Sequence, residues 1–161
     1  KNALSDTQWQ QVFLAYFAAQ ASDELTTKYQ HLGKKLQAHA YTAYLTQMAK
    51  TGQLASIENE LIKLLKHNKQ HDQLASILSE AAPSNAYKLQ SSIQERLKKD
   101  EHNNALLLAL ACLANAQGDY DLAARVFDKA LNSENKSQYR QQAILSYKHS
   151  AQLDKALVLY Q

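Results

Sequence analysis

Near the end of this chain one pattern is written twice, and it restricts the fold more than any other feature. In the first copy Leu107, Leu110, Ala111 and Ala114 precede a turn at Gly118-Asp119-Tyr120, and Ala123, Phe127 and Ala130 follow it. In the second copy Ala143, Ile144 and Tyr147 precede a turn at Ala151-Gln152-Leu153, and Ala156 and Tyr160 follow. Leu110 and Ala143, Ala114 and Tyr147, Ala123 and Ala156, and Phe127 and Tyr160 all stand 33 residues apart. Apolar residues three and four apart on both sides of each turn describe two helices. A fixed period of about 20 to 50 residues marks stacked supersecondary units, each unable to bury its apolar face without the next.

Composition agrees with a helical chain. Of 161 residues only 3 are Gly and 1 is Pro, too little turn chemistry for a multi-stranded sheet. Ala, Leu, Gln and Lys, which lose little on entering a helix, dominate instead. The 18 Lys and Arg against 15 Asp and Glu are scattered, and the densest cluster, residues 95–101, mixes both signs. That balance lacks the basic stripe of a nucleic-acid footprint, so no nucleic-acid partner is expected. The single cysteine, Cys112, cannot close an internal disulfide. No apolar run reaches membrane-spanning length and the first residues do not form a signal peptide. The start at Lys1 and the stop just after Tyr160 suggest a piece of a longer protein.

About ten helices are expected. Ser5 or Asp6 caps a first helix over residues 8–20 with Trp9, Val12, Phe13, Tyr16 and Phe17 on one face. A second helix, starting at Asp23 and carrying Leu25, Tyr29 and Leu32, is expected to end at Gly33. Helices over 35–50 and 54–67 form a hairpin turning at Gly52, with Ile57 where a small residue would sit. A polar stretch, residues 67–72, leads to a short helix over 73–81. Pro83-Ser84-Asn85 restarts the chain, with Ser84 or Asn85 as N-cap of a helix over 86–99. One solenoid domain follows: capping helices over 1–34, diverged hairpins over 35–103, and two well-formed repeats over 104–161, the last truncated.

The first copy resembles a tetratricopeptide (TPR) repeat. Leu107, Leu110, Ala111, Ala114, Ala123 and Phe127 stand at the family's positions, with Asn135 in place of its proline. The second copy keeps Ala143, Ile144, Tyr147, Ala156 and Tyr160 but has Arg140 at the tryptophan position. Asn135 for Pro is expected to leave the hairpin exit less rigid. From the hairpin over 40–65 to the terminal repeats, the order of elements resembles the C-terminal region of HemY-type proteins, bacterial inner-membrane proteins linked to heme biosynthesis. The resemblance implies a TPR-like right-handed superhelix of antiparallel hairpins, without catalytic residues. It also implies a parent anchored by membrane spans absent from this sequence, this region on the cytoplasmic face, and protein partners among heme-biosynthesis enzymes.

In a right-handed stack the first helix of each hairpin lines a concave groove. Leu108, Cys112 and Asn115 from the first copy, and Gln141, Leu145, Lys148 and His149 from the second, are then expected to form a mixed apolar and polar surface for a peptide or helix. His67 and His71 stand four apart, but the polar residues between them read as a loop. His31, His39, His102 and His149 are dispersed, and Cys112 has no sequence neighbour to make it a nucleophile. Neither an enzyme nor a resident cofactor or metal is expected. The leading reading is a protein-interaction scaffold. Its rival is a heme or tetrapyrrole carrier or sensor using His or Tyr as axial ligand. Self-association through exposed Trp9 and Tyr160 is a third reading.

The small residues set how closely the helices of a hairpin approach. Ala123→Leu should overpack that crossing and cost roughly 1–3 kcal/mol; an unchanged thermal melt would take Ala123 out of it.

Overall fold

A computed structural model of the chain describes residues 3–67, 71–81 and 86–161. Among these residues the fold is all-helical. The α-helices are α1 Asp6–Ala18, α2 Leu25–Gln30, α3 Lys34–Lys50, α4 Glu58–Lys66, α5 His71–Ser79, α6 Tyr87–Lys99, α7 Asn104–Ala116, α8 Tyr120–Ala130, α9 Lys136–His149 and α10 Leu153–Leu159. Short 3₁₀ turns at Ser22–Glu24 and Leu54–Ile57 precede α2 and α4. No helix among the described residues is long and apolar enough to cross a membrane.

The helix ends follow the local chemistry. At Ser5 a complete capping box forms: its hydroxyl accepts from the Gln8 amide at 3.2 Å, and the Gln8 side chain accepts from the Ser5 amide at 2.9 Å. Asn103 caps α7 and Asp119 caps α8, each by accepting a backbone N–H three residues on. The expected stop at Gly33 is different. That glycine has φ −63° and is the residue from which α3 starts, while α2 closes at His31. The Ser84 or Asn85 cap falls outside the described residues.

Three hairpin turns share one geometry. The residue just past the helix is left-handed at Gly52 (φ 81°), Gly118 (φ 78°) and Ala151 (φ 59°). In each case the next residue donates its N–H back into the helix at 2.8 Å: Gln53 to Met48, Asp119 to Ala114, and Gln152 to Tyr147. This is the Schellman closure, which satisfies carbonyls that the helix end leaves open. Gly118 and Ala151 are one period of 33 apart, and Gly52 precedes Gly118 by two periods. The hairpin α3–α4 therefore keeps the register of the terminal repeats although its side chains have diverged.

The odd-numbered helices pack in series: α1 on α3, α3 on α5, α5 on α7 and α7 on α9. The even-numbered helices lie against them, α8 touching both α7 and α9, and α10 touching α9. One cluster of buried residues runs through the array from Phe13 to Leu159. Its centre is α7, in which every residue from Leu106 to Asn115 is buried. Ala111 and Ala114 on α7 and Ala123 and Ala130 on α8 are all buried, and the two helices pack on each other.

The hairpin exit at Asn135 is tied by side-chain hydrogen bonds. The Asn135 amide donates to the Ala130 carbonyl at 2.9 Å, its Oδ1 accepts from the Asn132 amide at 2.9 Å, and Asn104 reaches the same Ala130 carbonyl at 2.7 Å. Trp9, expected to be open for self-association, is partly buried with its ring stacked on His39 at 4.5 Å. Val12 and Tyr16, expected on one face with Trp9, Phe13 and Phe17, lie on an open side of α1.

A Cβ added at Gly118 meets nothing within 4 Å, so only backbone conformation opposes substitution there. Left-handed φ costs a non-glycine residue about 1–2 kcal/mol, partly offset by the greater freedom glycine loses on folding. Gly118→Ala should therefore destabilise by about 1 kcal/mol, whereas Ala151→Gly should stabilise by up to about 1 kcal/mol. Denaturant melts of the two variants should move in opposite directions; movement in the same direction would contradict the shared geometry.

Candidate functional site

The sequence of α1 divides it into faces. Trp9, Phe13 and Phe17 pack inward, which leaves Gln10, Leu14, Ala15 and Ala18 along an adjacent side. On α3 the corresponding side carries Thr46, Gln47 and Lys50, and on α5 it carries Ser76 and Ser79, with Glu80 just past the helix end. These side chains line an open cleft of about 390 Å³ shared by the three helices.

Its lining is apolar at Leu14, Ala15 and Ala18 and polar elsewhere. Lys50 Nζ lies 3.7 Å from Glu80 Oε2, with both side chains half exposed. A pair so open to solvent contributes under about 1 kcal/mol to stability and can exchange partners at little cost. The Thr46 and Ser79 hydroxyls donate to their own helices, at 2.7 Å to Thr42 and 2.8 Å to Ser76, so their lone pairs are left as acceptors. Among the described residues the side-chain amides of Gln10 and Gln47 make no intramolecular hydrogen bond. Apolar methyl groups, unengaged amides and one ion pair that can open suit a polypeptide segment. The cleft is open to water, which favours binding over chemistry that needs exclusion of solvent.

The groove expected at the terminal repeats is not formed by the residues assigned to it. Leu108, Cys112 and Asn115 are buried, because α5 lies across the side of α7 that was to face solvent. Between α5, α7 and α9 only about 110 Å³ of space remains, beside Ser76, Cys112 and Gln142. Asn115 joins α7 to α9 instead, its Nδ2 donating to the Gln142 carbonyl at 2.9 Å and to Gln142 Oε1 at 3.0 Å. On α9, Gln141, Lys148 and His149 are exposed and Leu145 is half-buried. The His149 ring stacks on Tyr120 at 4.4 Å, against the start of α8.

Burial pushes the Cys112 thiol up to about 12, which keeps it protonated at neutral pH. Two tyrosines are also shifted upward, first by burial and then by a carboxylate that accepts from their hydroxyl. Tyr41 donates to Glu60 at 2.7 Å, linking α3 to α4, and Tyr147 donates to Asp128 at 2.8 Å, linking α9 to α8. The Tyr41 hydroxyl, and secondly Lys63, hold Glu60 below its ordinary value. These pairs fasten helix to helix, and Lys155 adds a second donor to Asp128 at 2.9 Å.

His31, His67, His102 and His149 are exposed. The residues between His67 and His71 lie outside the described ones. Among the described residues, no three His, Cys, Asp or Glu side chains are placed to hold a metal ion. The cleft on α1, α3 and α5 was missed in the sequence. Its signal was small polar residues at helical spacing, Thr46 with Lys50 and Ser76 with Ser79 and Glu80, which carry no hydrophobic periodicity. Compared with protein-family models, curated proteins and solved structures, the chain finds no match.

With its thiol buried and protonated, Cys112 in the native protein should resist a water-soluble disulfide reagent at neutral pH and react promptly once denatured. Rapid reaction of the native protein would contradict the packing of α5 on α7.

Proposed function

We propose that this chain is a non-enzymatic, TPR-like scaffold that binds a segment of another protein along the side formed by its odd-numbered helices. The observation that carries this reading is the cleft on α1, α3 and α5, with its unengaged Gln10 and Gln47 amides. A polypeptide offers both donors and acceptors along its length, so side-chain amides can pair with it whatever its sequence, while Leu14 and the flanking pair Lys50–Glu80 select among side chains. The regular spacing of the turns at Gly52, Gly118 and Ala151, and the serial packing of the odd-numbered helices, support a superhelical array of hairpins. On the resemblance drawn from the sequence, the parent is a HemY-type inner-membrane protein and the bound segments belong to heme-biosynthesis enzymes.

Peptides selected from a random display library on the native protein provide the test. Gln47→Arg combined with Ser76→Arg fills the cleft from two helices, at positions that do not belong to the core. The double variant should keep its helical circular dichroism and bind the selected peptides at least about tenfold more weakly, a loss of roughly 1.4 kcal/mol. Undiminished binding would place the peptide elsewhere and refute this assignment. Hemin titrated into the same protein at micromolar concentration should give no Soret shift; a saturable one-to-one shift would favour tetrapyrrole binding instead.

A further inference from the structure

We propose that the space between α5, α7 and α9 is a second subsite for the bound polypeptide, taking one short uncharged side chain as the segment crosses α5. This subsite presupposes the polypeptide-binding cleft on α1, α3 and α5. The two depressions are neighbours, because Ser76 and Ser79 line both of them. Three residues apart on one helix, these serines share a face. Side chains so small keep the ridge between the depressions low, so a backbone can pass over it. The Ser79 hydroxyl donates to the Ser76 carbonyl at 2.8 Å, which leaves its lone pairs to accept a backbone N–H of the passing chain.

The recess beyond the ridge grades from open to closed. Ser76 and Gln138 are exposed, whereas Ala75, Cys112 and Tyr139 are buried. Its volume is about 110 Å³. A cavity of about 150 Å³ accommodates benzene, so a group of about three or four heavy atoms fits here and an aromatic side chain does not. Among the described residues that line it none is charged. A charge carried in would be buried without a partner, which is costly. The cleft differs, since Lys50 and Glu80 stand in it 3.7 Å apart. One depression therefore responds to charge and the other to size.

A donor is also prepared in the recess. Asn115 Nδ2 donates to the Gln142 carbonyl at 2.9 Å and to Gln142 Oε1 at 3.0 Å. With its oxygen turned to Asn115, the Gln142 side chain has Nε2 as the end left for a carbonyl of the segment. The separation of the two subsites sets a register. Packed helices lie about 8–10 Å apart, so the Lys50–Glu80 pair, between α3 and the end of α5, is roughly 12–15 Å from the recess against α7. An extended chain covers that distance in about four or five residues.

Synthetic analogues of peptides selected on the native protein test this by fluorescence anisotropy. Each position is replaced in turn by Ala, Val, Leu, Trp, Asp and diaminobutyrate, whose side chain is a short ammonium. One position should keep its affinity with Ala or Val, bind Leu more weakly, and lose at least about tenfold with Trp, Asp or diaminobutyrate. Cys112→Ala deepens the recess by a sulfur atom and should reverse the order of Val and Leu there. Gln138→Glu places a carboxylate at the mouth and should restore diaminobutyrate at that position alone. Both variants should keep their helical circular dichroism. A scan without a size-limited position, on peptides that the Gln47→Arg and Ser76→Arg double variant still weakens, overturns the subsite and leaves the cleft as the site. So does a preference that neither Cys112→Ala nor Gln138→Glu alters. Peptides whose binding the double variant leaves undiminished, or a library that yields no binder, remove cleft and subsite together.

Discussion

The array depends on the enclosure of α7. Ten consecutive residues, Leu106 to Asn115, are removed from water on every side, by α5 and α8 above all and by α6 and α9 beyond them. A helix apolar all round has no stable place except inside other helices, so its neighbours must be brought to it. Hydrophobic burial at about 25 cal/mol per Å² of apolar surface stabilises that enclosure. The polar ends of α7 are handled separately: Asn103 caps its start and Gly118 closes its end. The one polar side chain on its buried run, Asn115, gives both of its donor bonds to Gln142 while its Oδ1 finds no protein partner. That orphaned oxygen is a cost accepted where α7 is joined to α9.

Much of this was legible in the amino acids. The turns at Gly52 and Gly118 follow from glycine's tolerance of left-handed φ, and the caps at Ser5 and Asp119 from side chains that can accept a free backbone N–H. Helix existence followed from three- and four-residue periodicity. Ala151 is a departure that the repeat itself reveals: a position built for glycine is held by alanine, because the surrounding closure fixes its backbone.

The errors have a common physical origin. Leu108, Cys112 and Asn115 were assigned to an open groove from their place in a repeat, although the run Leu106–Ala114 has no polar face to offer solvent. The helix that closes that side, α5, is short, and nothing in its own periodicity says that it lies across α7. Gly33 reads in the sequence as a helix stop, yet it has no positive φ and serves the next helix as its start. The reading of Trp9 as a self-association surface does not reckon with His39, which supplies a ring for it to stack on. In each case the local signal was sound and a long-range neighbour decided the outcome. The same limit hid the cleft on α1, α3 and α5, whose small polar residues acquire meaning only once three helices are side by side.

Surfaces divide accordingly. The even-numbered helices are fastened to the odd ones by buried alanines and by the Tyr41–Glu60 and Tyr147–Asp128 bonds. The side of α1, α3 and α5 left uncovered mixes small apolar residues with polar ones, the kind of surface the proposed partner segment would use. The central claim is that α7 is the enclosed core of the array, held chiefly by α5 and α8. Native-state amide hydrogen exchange tests it most directly, because it measures the free energy of opening for each segment. The account predicts that the amides of α7 and α5 exchange most slowly and only through global unfolding, while those of α10 exchange much earlier. Exchange in α7 as fast as in α10 would contradict it.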